Sequence, residues 1–78
     1  MIDVGKLRGL IAEKGMSQRQ LAKNLGMVEK TFYSKMKKAV FDSNEMDAMI
    51  SILEIKDPAS VFFANSVAYH ATNITDSA

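Results

Sequence analysis

The chain has 78 residues, 47% of them hydrophobic and 24% charged, so we expect one small globular domain with a single modest core. It has no cysteine and one histidine, which excludes disulfides and thiol catalysis and argues against a zinc site. No apolar run approaches the roughly 18 residues of a membrane helix, and the N-terminus lacks a signal pattern, so we expect a cytoplasmic protein with no membrane partner.

The net charge of +1 conceals an uneven distribution along the chain. Residues 1–38 hold nine lysines and arginines and three acids, whereas residues 39–78 hold one lysine and six acids. A basic half of this kind is suited to attract a polyanion. The same charges are also compatible with ordinary solvated helix faces, and charge alone leaves both interpretations open.

In chain order, the apolar spacing and the capping residues predict four or five short helices. Asp3 caps the first helix, and Gly15 ends it. Its apolar stripe consists of Leu7, Leu10 and Ile11, which follow the i, i+3, i+4 spacing of one helix face.

The next two helices are separated by a very short turn. Ser17 caps the second, which is predicted to run to Leu25, and Gly26 ends it. The third is predicted over residues 29–37, with Phe32 and Met36 pointing inward.

Two more helices follow. Asp42 or Ser43 caps the fourth, and Glu45 stands in capping-box position. The inward stripe of the fourth helix is Met46, Met49, Ile50 and Leu53. Asp57-Pro58 begins a fifth helix, whose apolar turn is Val61, Phe62 and Phe63. We expect Leu21, Leu25, Phe32, Met36, Ile50 and Leu53 to be buried together.

The last segment, residues 65–78, has a weak strand pattern in which Val67, Tyr69 and Ala71 alternate with other residues. It leaves three options open: pairing across a dimer, lying over the core, or disorder. We expect residues 73–78 to be mobile. His70 lies in this segment, and we expect it to be a surface residue.

Residues 17–36 meet the physical requirements of two helices around a tight turn. Ala22 is small where the second and third helices cross, and Gly26 can take the positive φ of a short turn. Gln18 stands at the start of the second helix, where free amides meet phosphate. This stretch resembles the helix-turn-helix of the phage repressor and Cro-like (XRE) family, particularly short phage proteins of Gram-positive hosts.

The resemblance implies an all-α, five-helix lambda-repressor-like domain over residues 1–64, followed by the tail 65–78. It also implies that the third helix enters the major groove of double-stranded DNA. One departure from the family pattern is Val28, which stands where a Ser or Thr usually caps that helix. The predicted DNA-binding residues are Gln18, Arg19, Val28, Glu29, Lys30, Thr31, Tyr33, Ser34, Lys35, Lys37 and Lys38.

The resemblance thus predicts a phage-type transcription regulator that represses as a homodimer on a two-fold DNA site. The alternative is an antirepressor, a helix-turn-helix protein whose partner is a phage repressor protein. In that case Val28, Glu29 and Tyr33 would contact protein. We expect no enzyme, metal or cofactor, because the sequence has no glycine-rich phosphate loop and no nucleophile with a nearby base.

Overall fold

A computed structural model describes residues 2–64, and the regular secondary structure in this range consists of five helices. They are α1 (Val4–Glu13), α2 (Gln18–Asn24), α3 (Glu29–Lys38), α4 (Ser43–Leu53) and α5 (Pro58–Phe62). The predicted all-α class and helix order are confirmed. The expectations for the tail, including its strand pattern and His70, lie outside the described residues.

Three of the helices begin with a side chain that accepts a backbone N–H from their first turn. Ser17 and Gln20 form a capping box at α2, with hydrogen bonds of 3.1 and 2.9 Å. Asp42 and Glu45 form a second box at α4, with hydrogen bonds of 2.7 and 2.9 Å. The Asp3 carboxylate accepts the N–H three residues later, at the start of α1. These bonds satisfy donors that have no partner inside the helix.

The chain reverses at the helix ends through left-handed residues. Gly15 and Gly26 follow α1 and α2 with φ of 67° and 70°. Ala39 and Glu54 take the same conformation after α3 and α4, with φ of 56° and 52°, although neither is glycine. The left-handed conformation is unfavourable for a residue with a Cβ atom. Contacts with neighbouring residues must therefore stabilise the connections after α3 and α4. The observed bounds differ from the predicted ones by one residue, since α2 ends at Asn24 and α3 continues to Lys38.

One core unites the five helices. α1 packs against α2 and α5, and α2 packs against α3. The backbone N–H of Asp3 also donates to the carbonyl of Val61 at 2.7 Å, which ties the start of α1 to α5. The buried residues are Ile2, Leu7, Ile11, Leu21, Ala22, Phe32, Met36, Phe41, Met49, Leu53, Ile55, Val61 and Phe62.

The predicted core needs five corrections. Leu10 and Met46, on the predicted inner stripes of α1 and α4, are only partly buried. Leu25 and Ile50 were expected inside, but both are only partly buried against the core. Leu25 is the C-cap of α2, where the chain turns away, and Ile50 is one position round the helix from the buried Met49. Phe63, expected in the last apolar turn, is about half exposed because it follows the end of α5.

None of the helices within residues 2–64 has both the length and the apolar character to cross a membrane.

Candidate nucleic-acid interface

The turn between α2 and α3 sets the position of α3. Gly26 has φ 70°, and the N–H of Met27 donates to the carbonyl of Ala22 at 2.9 Å, which closes the end of α2. Ala22 is almost fully buried where the two helices meet, and its small side chain lets their backbones come close. Phe32 and Met36 hold the inner side of α3 in the core, and its opposite side therefore faces solvent.

The outer side of α3 presents a straight ridge of polar side chains. Lys30, Ser34 and Lys38 are spaced four residues apart, which aligns them along one face of the helix. All three are exposed, and so are Thr31 and Lys37 beside them. A surface of lysines with a hydroxyl at its centre can neutralise phosphates and donate to a base edge.

Lys35 differs from its neighbours on α3. Its ammonium donates to Oε2 of Glu45 at 2.6 Å, and its side chain is only 31% exposed. Glu45 is more buried still, at 16%, and its other oxygen accepts the N–H of Asp42. Among the predicted DNA-binding residues, Lys35 is therefore one whose charge is already paired with an acid of α4.

A second ion pair joins α2 to α3. The Nε atom of Arg19 lies 3.6 Å from a carboxylate oxygen of Glu29, and both side chains are well exposed. Glu29 is in the first turn of α3, where an acid interacts favourably with the helix dipole. Arg19 therefore offsets the one negative charge that α3 carries. Gln18, the first residue of α2, is partly buried.

Two apolar side chains are exposed on or beside α3. Val28 is the N-cap residue of this helix, accepts no capping hydrogen bond and is 70% exposed. Tyr33 is 45% exposed and packs edge-on against Phe32, with ring centroids 6.1 Å apart. Exposed apolar groups of this size suit either a thymine methyl or a protein surface.

Sequence reasoning missed a groove between the ridge on α3 and the loop 39–42. The loop 39–42 forms one wall with Val40 and Phe41, and α3 forms the other. No local signal distinguished the two apolar residues of this loop, because Val40 is 63% exposed whereas the adjacent Phe41 is buried. The groove measures about 590 Å³, and the α3 residues along it include Lys30, Thr31, Ser34 and Lys38.

Comparisons of this chain with family models, curated proteins and solved structures gave no match. A function for this chain is therefore inferred from its own residues and their placement.

Proposed function

We propose that this protein is a DNA-binding transcription regulator that lays α3 in the major groove of double-stranded DNA. The observation that carries the proposal is the exposed ridge of Lys30, Ser34 and Lys38 on a helix whose inner side is fixed in the core. Lys30, Lys37 and Lys38 contact phosphates, which gives affinity without sequence preference. Ser34, together with Tyr33, supplies contacts to base edges and thymine methyl groups.

The size of the surface supports a homodimer on the DNA. A helix of ten residues contacts too few base pairs to select one site in a genome. Two copies related by a two-fold axis would read two half-sites about 34 Å apart, one turn of DNA. Occupying a promoter in this way represses transcription, which fits the phage-type regulator in the cytoplasm that the sequence resemblance implies.

The test is selection of binding sites from a pool of random DNA duplexes. We expect enrichment of a two-fold symmetric site whose half-site centres are about 10 base pairs apart. Ser34→Ala should change the preferred base at one position of each half-site. Lys56→Ala, which removes a charge outside α2 and α3, is the control and should leave the preferred site unchanged. Absence of any enriched sequence for the parent protein would contradict the proposal.

A second candidate is an antirepressor that binds a phage repressor protein. The observation that favours it is the exposure of Val28 and Tyr33, an apolar pair next to the acidic Glu29. Buried aromatic side chains are frequent interface anchors, so Tyr33→Ala should cost about 2 kcal/mol of binding to that repressor.

Glu29→Gln separates the two candidates. For a DNA reader, the change removes an anion from the surface that faces a polyanion, so non-specific DNA affinity should rise. For a protein binder, the change would cost about 2–5 kcal/mol if Glu29 pairs with a desolvated cation of the repressor. The measurements are a gel shift and a pull-down with the repressor. The antirepressor would be favoured if the parent protein gave no gel shift and the Glu29→Gln variant no longer bound the repressor in the pull-down.

A further inference from the structure

The groove between α3 and the loop 39–42 has an apolar wall that contact with a polyanion does not explain. Val40 is 63% exposed on the loop side, and Phe41 anchors the same wall in the core. A phosphate backbone gains little from an exposed valine, because phosphates offer no apolar surface against which the valine can be buried. The wall therefore suits an apolar side chain of a partner.

The charges around the groove are mainly positive once ion pairs are counted. Lys35 is paired with Glu45 at 2.6 Å, so these two charges offset each other. The Asp42 carboxylate accepts the backbone N–H of Glu45 at 2.7 Å and keeps its negative charge. Lys30 and Lys38 form no ion pair with another described residue. The groove therefore keeps two positive charges on its α3 wall and one negative charge, that of Asp42, on its loop wall, which leaves it positive overall.

We propose that this groove binds an acidic segment of a partner protein. One side chain of leucine or phenylalanine size packs against Val40, and carboxylates on either side of it pair with Lys30 and Lys38. This site differs from the surface formed by Val28 and Tyr33, which do not line the groove. Because Lys30 and Lys38 also belong to the proposed DNA surface, the acidic segment and DNA exclude each other, and this competition rests on the proposed function.

The probe is a synthetic peptide, acetyl-Glu-Asp-Leu-Asp-Glu-amide, titrated into the ¹⁵N-labelled full chain at about 50 mM salt, where charge pairs are weakly screened. The control peptide carries Ser in place of Leu. We expect amide shifts at Thr31, Ser34 and Val40, and about five-fold tighter binding of the leucine peptide, since only it buries the valine. Equal affinity for both peptides, or shifts elsewhere, would overturn the proposal.

Two matched variants test the role of the valine. Val40→Ser should weaken the leucine peptide about five-fold and change DNA affinity by less than about two-fold. Val28→Ser makes the same change at an exposed valine outside the groove and should leave peptide affinity unaltered. If Val40→Ser weakens DNA as much as it weakens the peptide, the groove belongs to the DNA surface and the proposal fails.

The competition is read separately, as displacement of a fluorescent DNA duplex by the leucine peptide. Displacement supports both the groove and the proposed function. A peptide that binds in the groove of a protein with no DNA affinity supports the groove and contradicts the proposed function. The two failures are therefore distinguishable.

Discussion

Phe32 fixes α3 to the rest of the molecule through a cluster of aromatic rings. Its side chain is fully buried, and its ring centroid lies 5.7 Å from that of Phe41, at an interplanar angle of 53°. Tilted ring pairs of this kind add to the burial energy. Because Phe41 belongs to the loop after α3, the pair also holds that loop.

We expect Phe32→Ala to lower the free energy of unfolding by about 3–5 kcal/mol, through reduced burial and the cavity left behind. The free energy of unfolding of so small a domain is itself only about 5 kcal/mol, so a large fraction of the variant should be unfolded. Urea denaturation followed by circular dichroism measures the change. Tyr33→Ala, at the exposed neighbouring position, is the control and should cost far less. If the Phe32 variant unfolds like the parent, the position assigned to α3 is wrong.

Val28 leaves the start of α3 without a side-chain cap. Its backbone has φ −66° and ψ 138°, the extended conformation of an N-cap residue, so a serine there needs no rearrangement. We expect Val28→Ser to raise the free energy of unfolding by about 0.5–2 kcal/mol, because its hydroxyl can accept an N–H of the first turn.

The control for this change is Val40→Ser. It alters the same residue type at a similarly exposed position that begins no helix. Thermal melts of both variants give the comparison. An unchanged or lower melting temperature for Val28→Ser, relative to the parent, would show that the cap is not formed.

Among the helices, α3 and α4 are joined by Glu45. One carboxylate oxygen completes the capping box of α4, and the other receives the ammonium of Lys35. Glu45 therefore connects α3 to the start of α4 across the loop 39–42, in addition to the aromatic pair of Phe32 and Phe41. This arrangement keeps the apolar wall of the groove at a fixed distance from the ridge on α3.

The end of α4 contains a strained residue whose cost can be measured. Glu54 has φ 52°, a conformation that glycine adopts without a penalty. We expect Glu54→Gly to be more stable than Glu54→Ala by about 0.5–1 kcal/mol, after allowing for the greater freedom of glycine in the unfolded chain. Both variants remove the exposed ion pair of Glu54 with Lys14, so their difference isolates the backbone effect.

The same pair of substitutions at Asp47, an exposed position inside α4, should give the opposite order. There alanine is favoured by about 1 kcal/mol, since glycine weakens a helix interior. Chemical denaturation of the four variants supplies the measurement. An equal preference at both positions would contradict the left-handed conformation of Glu54.

Within the described residues, part of the positive charge of the first half of the chain is exposed on α3. The exposed lysines of α3 include Lys30, Lys37 and Lys38, whereas Asp47 and Glu54 lie on and after α4. A group of exposed lysines attracts a polyanion. The salt dependence of DNA binding should therefore measure how many phosphates the lysines of α3 contact.

We expect the double substitution Lys37→Ala, Lys38→Ala to weaken binding to all DNA sequences alike. The slope of log K against log salt should decrease by roughly 0.9 for each phosphate that is no longer neutralised. Fluorescence anisotropy at several salt concentrations measures it. Lys6→Ala, Lys56→Ala removes the same charge from a different groove, beside α1 and α5, and serves as the control. Equal slopes for the two double variants would show that Lys37 and Lys38 face solvent and do not contact phosphates.

Most of the fold could be predicted from local signals. The Asp42–Glu45 capping box, the glycines at 15 and 26 and the i, i+4 spacing of Phe32 and Met36 act over a few residues. Such signals indicate where a helix begins and ends and which of its faces is apolar, without reference to distant parts of the chain. The burial of Ile2, Phe41 and Ile55 was not predictable in this way, because connecting segments have no periodicity.

Local sequence signals were enough to determine the helical class, the order of the helices and the exposed basic side of α3. Which charges remain available to a ligand was decided by the packing of the helices. The pairing of Lys35 with Glu45, and of Arg19 with Glu29, depends on how neighbouring helices are placed. The groove beside Val40 likewise exists only because the loop 39–42 packs next to α3. Ion pairs and grooves arise between elements, where distance in space, and not separation along the chain, sets the energy.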